Sequence, residues 1–429
     1  MQPRDMAEQA LQWMSVQGFD AAQVDVSRRQ VLELNIANNE PSLMRSAEQH
    51  QLGLAGLVDG RRAATELTDL REAAVRQAVA ELHAQAAMAP RDEAHAVSAG
   101  QRARIVKGDV DADEAALGPR LAGLVGELLD FRAGETPSVV LQEATASHVR
   151  LSRCTLTSQG SDLALESAWH ELMVFGSARE GARSSSFNWA GGAAHRIEPG
   201  SAMDHFGMAD MLRALTRQLQ PRGLGGKFVG TVVLTPWAVS SLLDWLLTQL
   251  GDTALIGGSS LLAGRVGQGV ASPLLGVHSR FDAPGVVPWS ADACVARPVQ
   301  VMSRGQLLTL LPSLYGARRT GHPHCPVAAT GWAIDAGETP LAGMTAGVAR
   351  GALVGRLSMG QPASNGDFSG VIKNSFAIDA GAVGPALSET MISGNIGAML
   401  AEVSAVSRER IDSGAQCLPW LRIDGLHFS

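Results

Sequence analysis

Residues Met208 to Leu219 carry apolar side chains at helical spacing and then meet Pro221, Gly223, Gly225 and Gly226. Proline cannot continue a helix and glycine loses the most freedom when ordered, so no regular element crosses this stretch. The break falls near the middle of a 429-residue chain, which is too long for one ordinary core. It predicts two domains, residues 1–221 and 222–429. An apolar fraction of 45% gives both enough material to bury.

The two halves are patterned differently. In the first, Asp5 to Gln17 places Met6, Ala10, Leu11 and Met14 on one helical face and stops at Gly18. Strand patterns follow at 23–27, 31–37 and 51–58, with Asp59-Gly60 as a hairpin turn. A long helix comes next, capped by Thr68 or Asp69, with Leu70, Ala73, Ala74, Ala78 and Leu82 as its apolar face. Residues 84–116 read as an irregular connection, 122–132 as a short helix, and 138–157, 163–176 and 184–189 as strands. In the second half, Phe228 to Leu234 reads as a buried strand and Ala238 to Leu250 as a helix, before Gly-rich text with short strands. Val299 to Leu308 and Phe376 to Val383 read as hairpins, and Ser393 to Ser407 as the last helix. The expected fold class is α+β: an N-terminal α/β domain followed by a β-rich, antiparallel C-terminal domain.

Charge and composition exclude several functions. The formal charge is −7 and the arginines are scattered, so no basic stripe exists to neutralise phosphates, and nucleic acid is not an expected partner. The most apolar window, Val232 to Leu250, contains Pro236 and Asp244 and is not a membrane span. No basic stretch followed by an apolar one opens the chain, which points to the cytoplasm. Cys154, Cys294, Cys325 and Cys417 lie far apart and read as reduced thiols. There is no G-x-S-x-G elbow and no S-x-x-K. His170-Glu171 starts like a zincin motif, but positions 174 and 175 are Val and Phe.

Three short motifs follow one another in the second half: Ser279-Arg280-Phe281-Asp282 with Gly285, then Asn365-Gly366-Asp367-Phe368-Ser369, then Gly394-Asn395. Taken as residues, the first is a turn in which Arg280 and Asp282 satisfy each other while Phe281 enters the core. In the second, Asn-Gly makes a tight turn and Asp367 accepts backbone N–H groups. The third opens a helix. All twelve residues are structural or peptide-facing candidates. In this order they resemble the C-terminal half of the TldD/PmbA family, which includes TldE and has been labelled a modulator of DNA gyrase. The resemblance implies a bacterial or archaeal peptide-processing protease.

The family's catalytic members carry a zinc-binding HExxxH helix and a Cys ligand near the C-terminus, with the helix Glu as general base. Carried onto this chain, the His-Glu pair falls on Pro236 and Trp237, the second His on Ser240 and the Cys close to Ile411. None is a strong zinc ligand, and no His or Glu occurs between Leu224 and Val277. The resemblance therefore implies a TldE/PmbA-like subunit with no catalytic residue, metal or other cofactor of its own. Its expected partner is a zinc-bearing TldD-like protein, in a heterodimer that cleaves unfolded peptides such as leader-bearing modified peptides. Two alternatives stand beside it. One is a diverged stand-alone metalloprotease using His322, His324 and Cys325, three soft donors in four residues; the other is a regulatory binding protein without a protease partner. Relatives have a Gly-Asn-Gly-Arg stretch and a Ser-Asn pair in the region 320–335, and this chain has neither.

Overall fold

The computed structural model describes residues 2–223, 225–388 and 390–429. Helix α1 (Pro3–Gln17) buries Met6, Ala7, Ala10 and Met14 and ends at Gly18, whose left-handed φ of 98° lets its N–H reach back to the carbonyls of Met14 and Ser15. Strand β1 (Ala21–Ala37) then turns through Asn38-Asn39, both at positive φ, into β2 (Glu40–Val58), and Asp59-Gly60 turns β2 into β3 (Arg61–Leu67). The two strands expected at 23–27 and 31–37 are one. Strand β1 lies between β2 and β5 (Val139–Thr157), so hydrogen bonding on both sides carries the polar stretch Arg28–Gln30 through.

Helix α2 (Glu72–Met88) starts later than expected. Asp69 is used in a local turn, its Oδ1 accepting the N–H of Arg71 at 3.0 Å, so neither it nor Thr68 caps the helix. The later start turns the buried face to Val75, Ala78, Val79, Leu82 and Ala86, and leaves Ala73 exposed and Ala74 half-buried. The stretch expected to be irregular contains β4 (Arg102–Lys107). This strand pairs in parallel with β6 (Asp162–Glu180) at the sheet edge and alternates only half-buried with exposed positions, so its apolar signal is weak. Helix α3 (Glu114–Glu135) runs through Pro119 because Asp113 starts it upstream, accepting the N–H of Ala115. Strands β7 (Arg183–Ser184) and β8 (Asn188–Ala194) and helix α4 (Met208–Thr216) complete this half.

The first sheet has the order β3-β2-β1-β5-β6-β4, with β7 and β8 also on β6. Strand alternation sorts its two faces. Val24, Val26, Ile36, Ala144, Ala146, Leu172 and Val174 pack under the helices. Val31, Val149, Leu151, Leu163, Leu165 and Trp169 lie on the other face, and Leu163 and Leu165 cluster there with Trp289 from the second half.

The second half begins with β9 (Phe228–Leu234), α5 (Pro236–Leu250) and α6 (Asp252–Ile256). Next come β10 (Val277–Ser279), β11 (Gln300–Ser303), β12 (Gln306–Leu307), α7 (Leu314–Thr320) and β13 (Trp332–Ile334). Strands β14 (Arg350–Val354), β15 (Arg356–Ser358), β16 (Asp367–Lys373), β17 (Phe376–Asp379), β18 (Ala382–Ala386) and β19 (Thr390–Asn395) follow. Helix α8 (Ile396–Ala401), β20 (Val403–Asp412) and β21 (Gln416–Phe428) close the chain. The second sheet has the order β12-β11-β10-β13-β21-β9-β14-β17-β18, with β15, β16, β19 and β20 joined alongside. It is mostly antiparallel; β9 with β14 and β13 with β21 run parallel. Its core holds α5 against β9 and β21 through Val239, Leu242, Leu246, Leu421 and Ile423. The last helix is shorter than the expected 393–407. From Val403 the segment pairs with β21 as an irregular strand, with register shifts between Val403 and Ala405 and between Val406 and Arg410. The fold is thus mixed α+β with two sheets, and no described helix is long and apolar enough to cross a membrane.

Candidate functional site

Helix α5 leaves β9 through Thr235, whose hydroxyl donates to the carbonyl of Gly355 at 2.7 Å, and Pro236 takes the first turn, where its missing N–H costs nothing. Trp237 then points out of the second core and packs against the apolar cluster under the first sheet. Its ring centroid lies 5.1 Å from that of Trp189 on β8. The guanidinium of Arg356 on β15 sits 3.8 Å above Trp189 and 5.0 Å from Trp237. Arg356 donates Nε to Asn188 Oδ1 at 3.0 Å and Nη2 to the carbonyl of Trp189. Burial pushes Arg356 down to about 10, so at neutral pH the group remains a cation, held by two indole faces and two oxygens.

These positions do not fit zinc. Proline offers no lone pair, the indole of Trp237 is a donor only, and a serine hydroxyl is a weak ligand. HExxxH spacing counted from Pro236 reaches Ser241, one residue past Ser240, and the exchange of one serine for its neighbour changes nothing. Ile411, on β20, is aliphatic and lies against Gly207: a Cβ added there would stand 2.7 Å from Ile411 Cδ1. The loop with His322, His324 and Cys325 follows α7. Its Cys325 N–H bonds the Pro312 carbonyl, and burial pushes the Cys325 thiol up, away from the thiolate a metal requires. Among the described residues no three His, Cys, Asp or Glu side chains gather as ligands, so this loop does not assemble the site that the stand-alone protease alternative needs.

The Ser279–Gly285 turn is bound from both halves. Arg280 turns away from Asp282 and forms a two-pronged pair with Asp412, both contacts at 2.8 Å, while also donating to the carbonyl of Gly414 at 2.9 Å. The expected Arg280–Asp282 pair is therefore replaced: Asp412 sits at the end of β20, where Gly414 folds the chain back and holds the carboxylate beside the guanidinium. Phe281 is only partly buried. From the first half, Lys107 at the end of β4 donates to the carbonyls of Phe281, Ala283 and Val286 at 3.1, 3.0 and 2.7 Å. Its burial pushes it down to about 8. Gly285, at φ 73°, lies against the Trp169 ring. Ser279 Oγ accepts the N–H of Val299 at 3.0 Å.

The structure brings the other two motifs together. In the pairing of β16 with β19, Asp367 lies opposite Asn395 and Phe368 opposite Gly394. Asn395 Nδ2 donates to Asp367 Oδ1 and to the Asn365 carbonyl, each at 2.8 Å, while its Oδ1 accepts the N–H of Ala398 and caps α8. Asn365 Nδ2 donates to Asp367 Oδ2 at 2.8 Å. The two amides hold the Asp367 carboxyl below its ordinary range, Asn395 more than Asn365. Gly366 has a φ of 89°, which the turn requires, and a Cβ there would stand 3.0 Å from Trp245. Phe368 is buried and Ser369 is exposed. This network engages its own polar groups and closes one end of the sheet.

Four residues that organise the site carry no local motif: Lys107, Trp189, Arg356 and Asp412. Lys107 alone left a trace, as one of three lysines in the chain.

Residues 226–429 match the family model described as the PmbA/TldA metallopeptidase C-terminal domain. Over the whole chain the fold is similar to that of TldE from Thermococcus kodakarensis, with a TM-score of 0.83, 18% identity, and coverage of 99% of this chain and 100% of that one. It is also similar to a proposed modulator of DNA gyrase from Bacteroides thetaiotaomicron, at TM-score 0.83 and 19% identity over 99% and 98% of the two chains. A third, from Thermotoga maritima and given the same description, has a TM-score of 0.79 at 15% identity over 99% and 100%. At these identities the likeness is one of fold. No curated protein matches the sequence.

Proposed function

The second half of the chain, residues 226–429, belongs to the PmbA/TldD family, and from that premise we propose that the chain is a TldE-like subunit without a hydrolytic centre, paired as a heterodimer with a zinc-bearing TldD-like protein. The observation that carries this reading is Trp237. At the position onto which the family resemblance carries the general base stands an indole packed against Trp189 and Arg356. Such a side chain is a hydrogen-bond donor only, takes no proton from water and is no zinc ligand. The rest of the reading assigns this chain walls, interface and peptide-holding edges in a complex that cleaves unfolded peptides, with the division near residue 221 separating two domains. One such edge is available. Strand β2 pairs with β1 from Glu40 to Leu57, but β3 covers only Leu52 to Val58, which leaves 40–51 open on one side with Leu43 and Met44 exposed. An extended peptide adds to an edge of this kind through its backbone, and alternate side chains choose the occupant.

The test is the solution mass of this chain alone and mixed with the HExxxH-bearing paralogue of the same genome, by light scattering after size exclusion. The expected result is a defined mixed complex that cleaves an unfolded peptide while this chain alone does not. A homo-oligomer indifferent to the paralogue would overturn the reading.

A further inference from the structure

The helix-covered face of the first sheet changes character along its strands. On β5, alternate residues run Ala144, Ala146, His148, Arg150; on β6, Val174 and Leu172 give way to His170. His148 and His170 lie directly opposite in the pairing, with ring centroids 5.0 Å apart and exposures of only 3% and 4%. Arg120 on α3 and His195 and Arg196, just past β8, close over them with Asp109 to line a cavity of about 420 Å³. The buried donors of this region are not all used. His170 Nδ1 and the Nε atoms of Arg120 and Arg150 have no hydrogen-bond partner. Arg120 spends Nη2 on the Ile197 carbonyl, and Arg150 binds Glu114 and the Ala112 carbonyl. His195 sets its two ring nitrogens 3.3 and 3.4 Å from the Ala168 and Asp282 carbonyls, one of which a single ring N–H can serve, so its ring forms a wall of the cavity.

A buried donor without an acceptor costs more than the hydrogen bond it would make is worth. Two guanidiniums, Arg120 and the Glu198-paired Arg196, converge with two imidazoles on one polar cavity whose lining holds the single carboxylate of Asp109, and they call for an acceptor-rich guest. A metal is the poorer fit, because the two arginines repel it and no three ligands gather among the described residues. We infer that this cavity is a binding site for a small oxyanion, a phosphate or a carboxylate, held by Arg120, His148 and His170 with Arg196 at the rim. The inference is independent of the subunit role proposed above, since none of these residues belongs to α5 or to the three motifs of the second half.

The test uses the full chain and two probes, inorganic phosphate and succinate, each titrated while the imidazole resonances of His148 and His170 are followed by NMR and heat is followed by calorimetry. Saturable binding that moves both histidine signals is expected, and it weakens roughly tenfold or more in Arg120→Met, the loss of one charge-assisted bond. The tighter probe tells phosphate from carboxylate chemistry. If neither probe binds saturably, or if binding leaves both histidine signals in place, the cavity holds only water and the inference is overturned. Arg196→Gln changes a side chain that is 72% exposed and so keeps the fold. Weakened binding in that variant supports the site if Arg120→Met does not fold, and unchanged binding in a folded Arg120→Met counts against it.

Discussion

At the scale of single residues, buried cations and bases define this molecule more than carboxylates do. Burial pushes both His148 and His170 down to about 4; the cations Arg150 and Arg120 add to the effect at His148 against Asp109, and His148 and Arg120 add to it at His170. In the unfolded chain each ring titrates near 6.5, as roughly any exposed histidine does. Between those two values the unfolded state binds more protons than the folded one, so stability is full above the unfolded value and falls as pH drops towards the folded one. His170→Asn, which keeps a polar group and cannot be protonated, should therefore lose less Tm than the parent between about pH 7 and about pH 5. Thermal melts across that range check it, and parallel slopes for the two proteins would mean that the ring carries no such penalty.

Among the elements, α8 owes its start to one side chain. Asn395 caps Ala398 and ties β16 to β19 through Asn365 and Asp367. Asn395→Ala should cost about 1–2 kcal/mol, the range for a lost cap and the bonds that go with it. Asn395→Asp keeps the cap acceptor but sets a carboxylate against Asp367, so its deficit should shrink when the pH is lowered until carboxylates protonate. Denaturant unfolding of both variants at neutral and acid pH separates the two effects. That a helix opens at Gly394-Asn395 was legible in the sequence because turn chemistry is local, as were α1, with its Gly18 stop, and the β9–α5 pair, with Pro236 between strand and helix. The start of α2 was misread because Asp69 serves a turn as readily as a cap. The length of α8 was misread because the apolar residues Val403, Ala405 and Val406 suit a helix face, and the irregular pairing with β21 that makes them a strand leaves no period-two signal. Strand β4 stayed hidden because an edge strand with outward arginines needs few apolar residues. Neither the Asp412 partner of Arg280 nor the meeting of Trp189, Trp237 and Arg356 could be read, since each joins positions far apart in sequence whose neighbours carry no pattern.

For the whole molecule, the question is what keeps two sheets, each with its own core, from behaving independently. The seam between them holds buried cations set against acceptors and rings. Lys107 reaches three carbonyls of the 281–286 turn, Arg356 lies on Trp189 and Trp237, and the Ala193 N–H bonds the Ser413 carbonyl at 3.1 Å. Trp289 adds an apolar contact against Leu163 and Leu165. Removal of a cation from such a place leaves its acceptors dry and unpaired, a larger loss than the bond itself. Neither residue packs in the interior of the cores formed by α1 to α4 or by α5 with β9 and β21. The double variant Lys107→Met/Arg356→Met should therefore weaken the coupling while leaving each half folded. Calorimetry should show one heat absorption for the parent and two for the variant, and proteases should cut the Pro- and Gly-rich stretch from Pro221 to Gly226 faster in the variant. A single transition moved to lower temperature, with no new cleavage there, would mean that the halves fold as one unit and that the break near residue 221 is a loop within one domain.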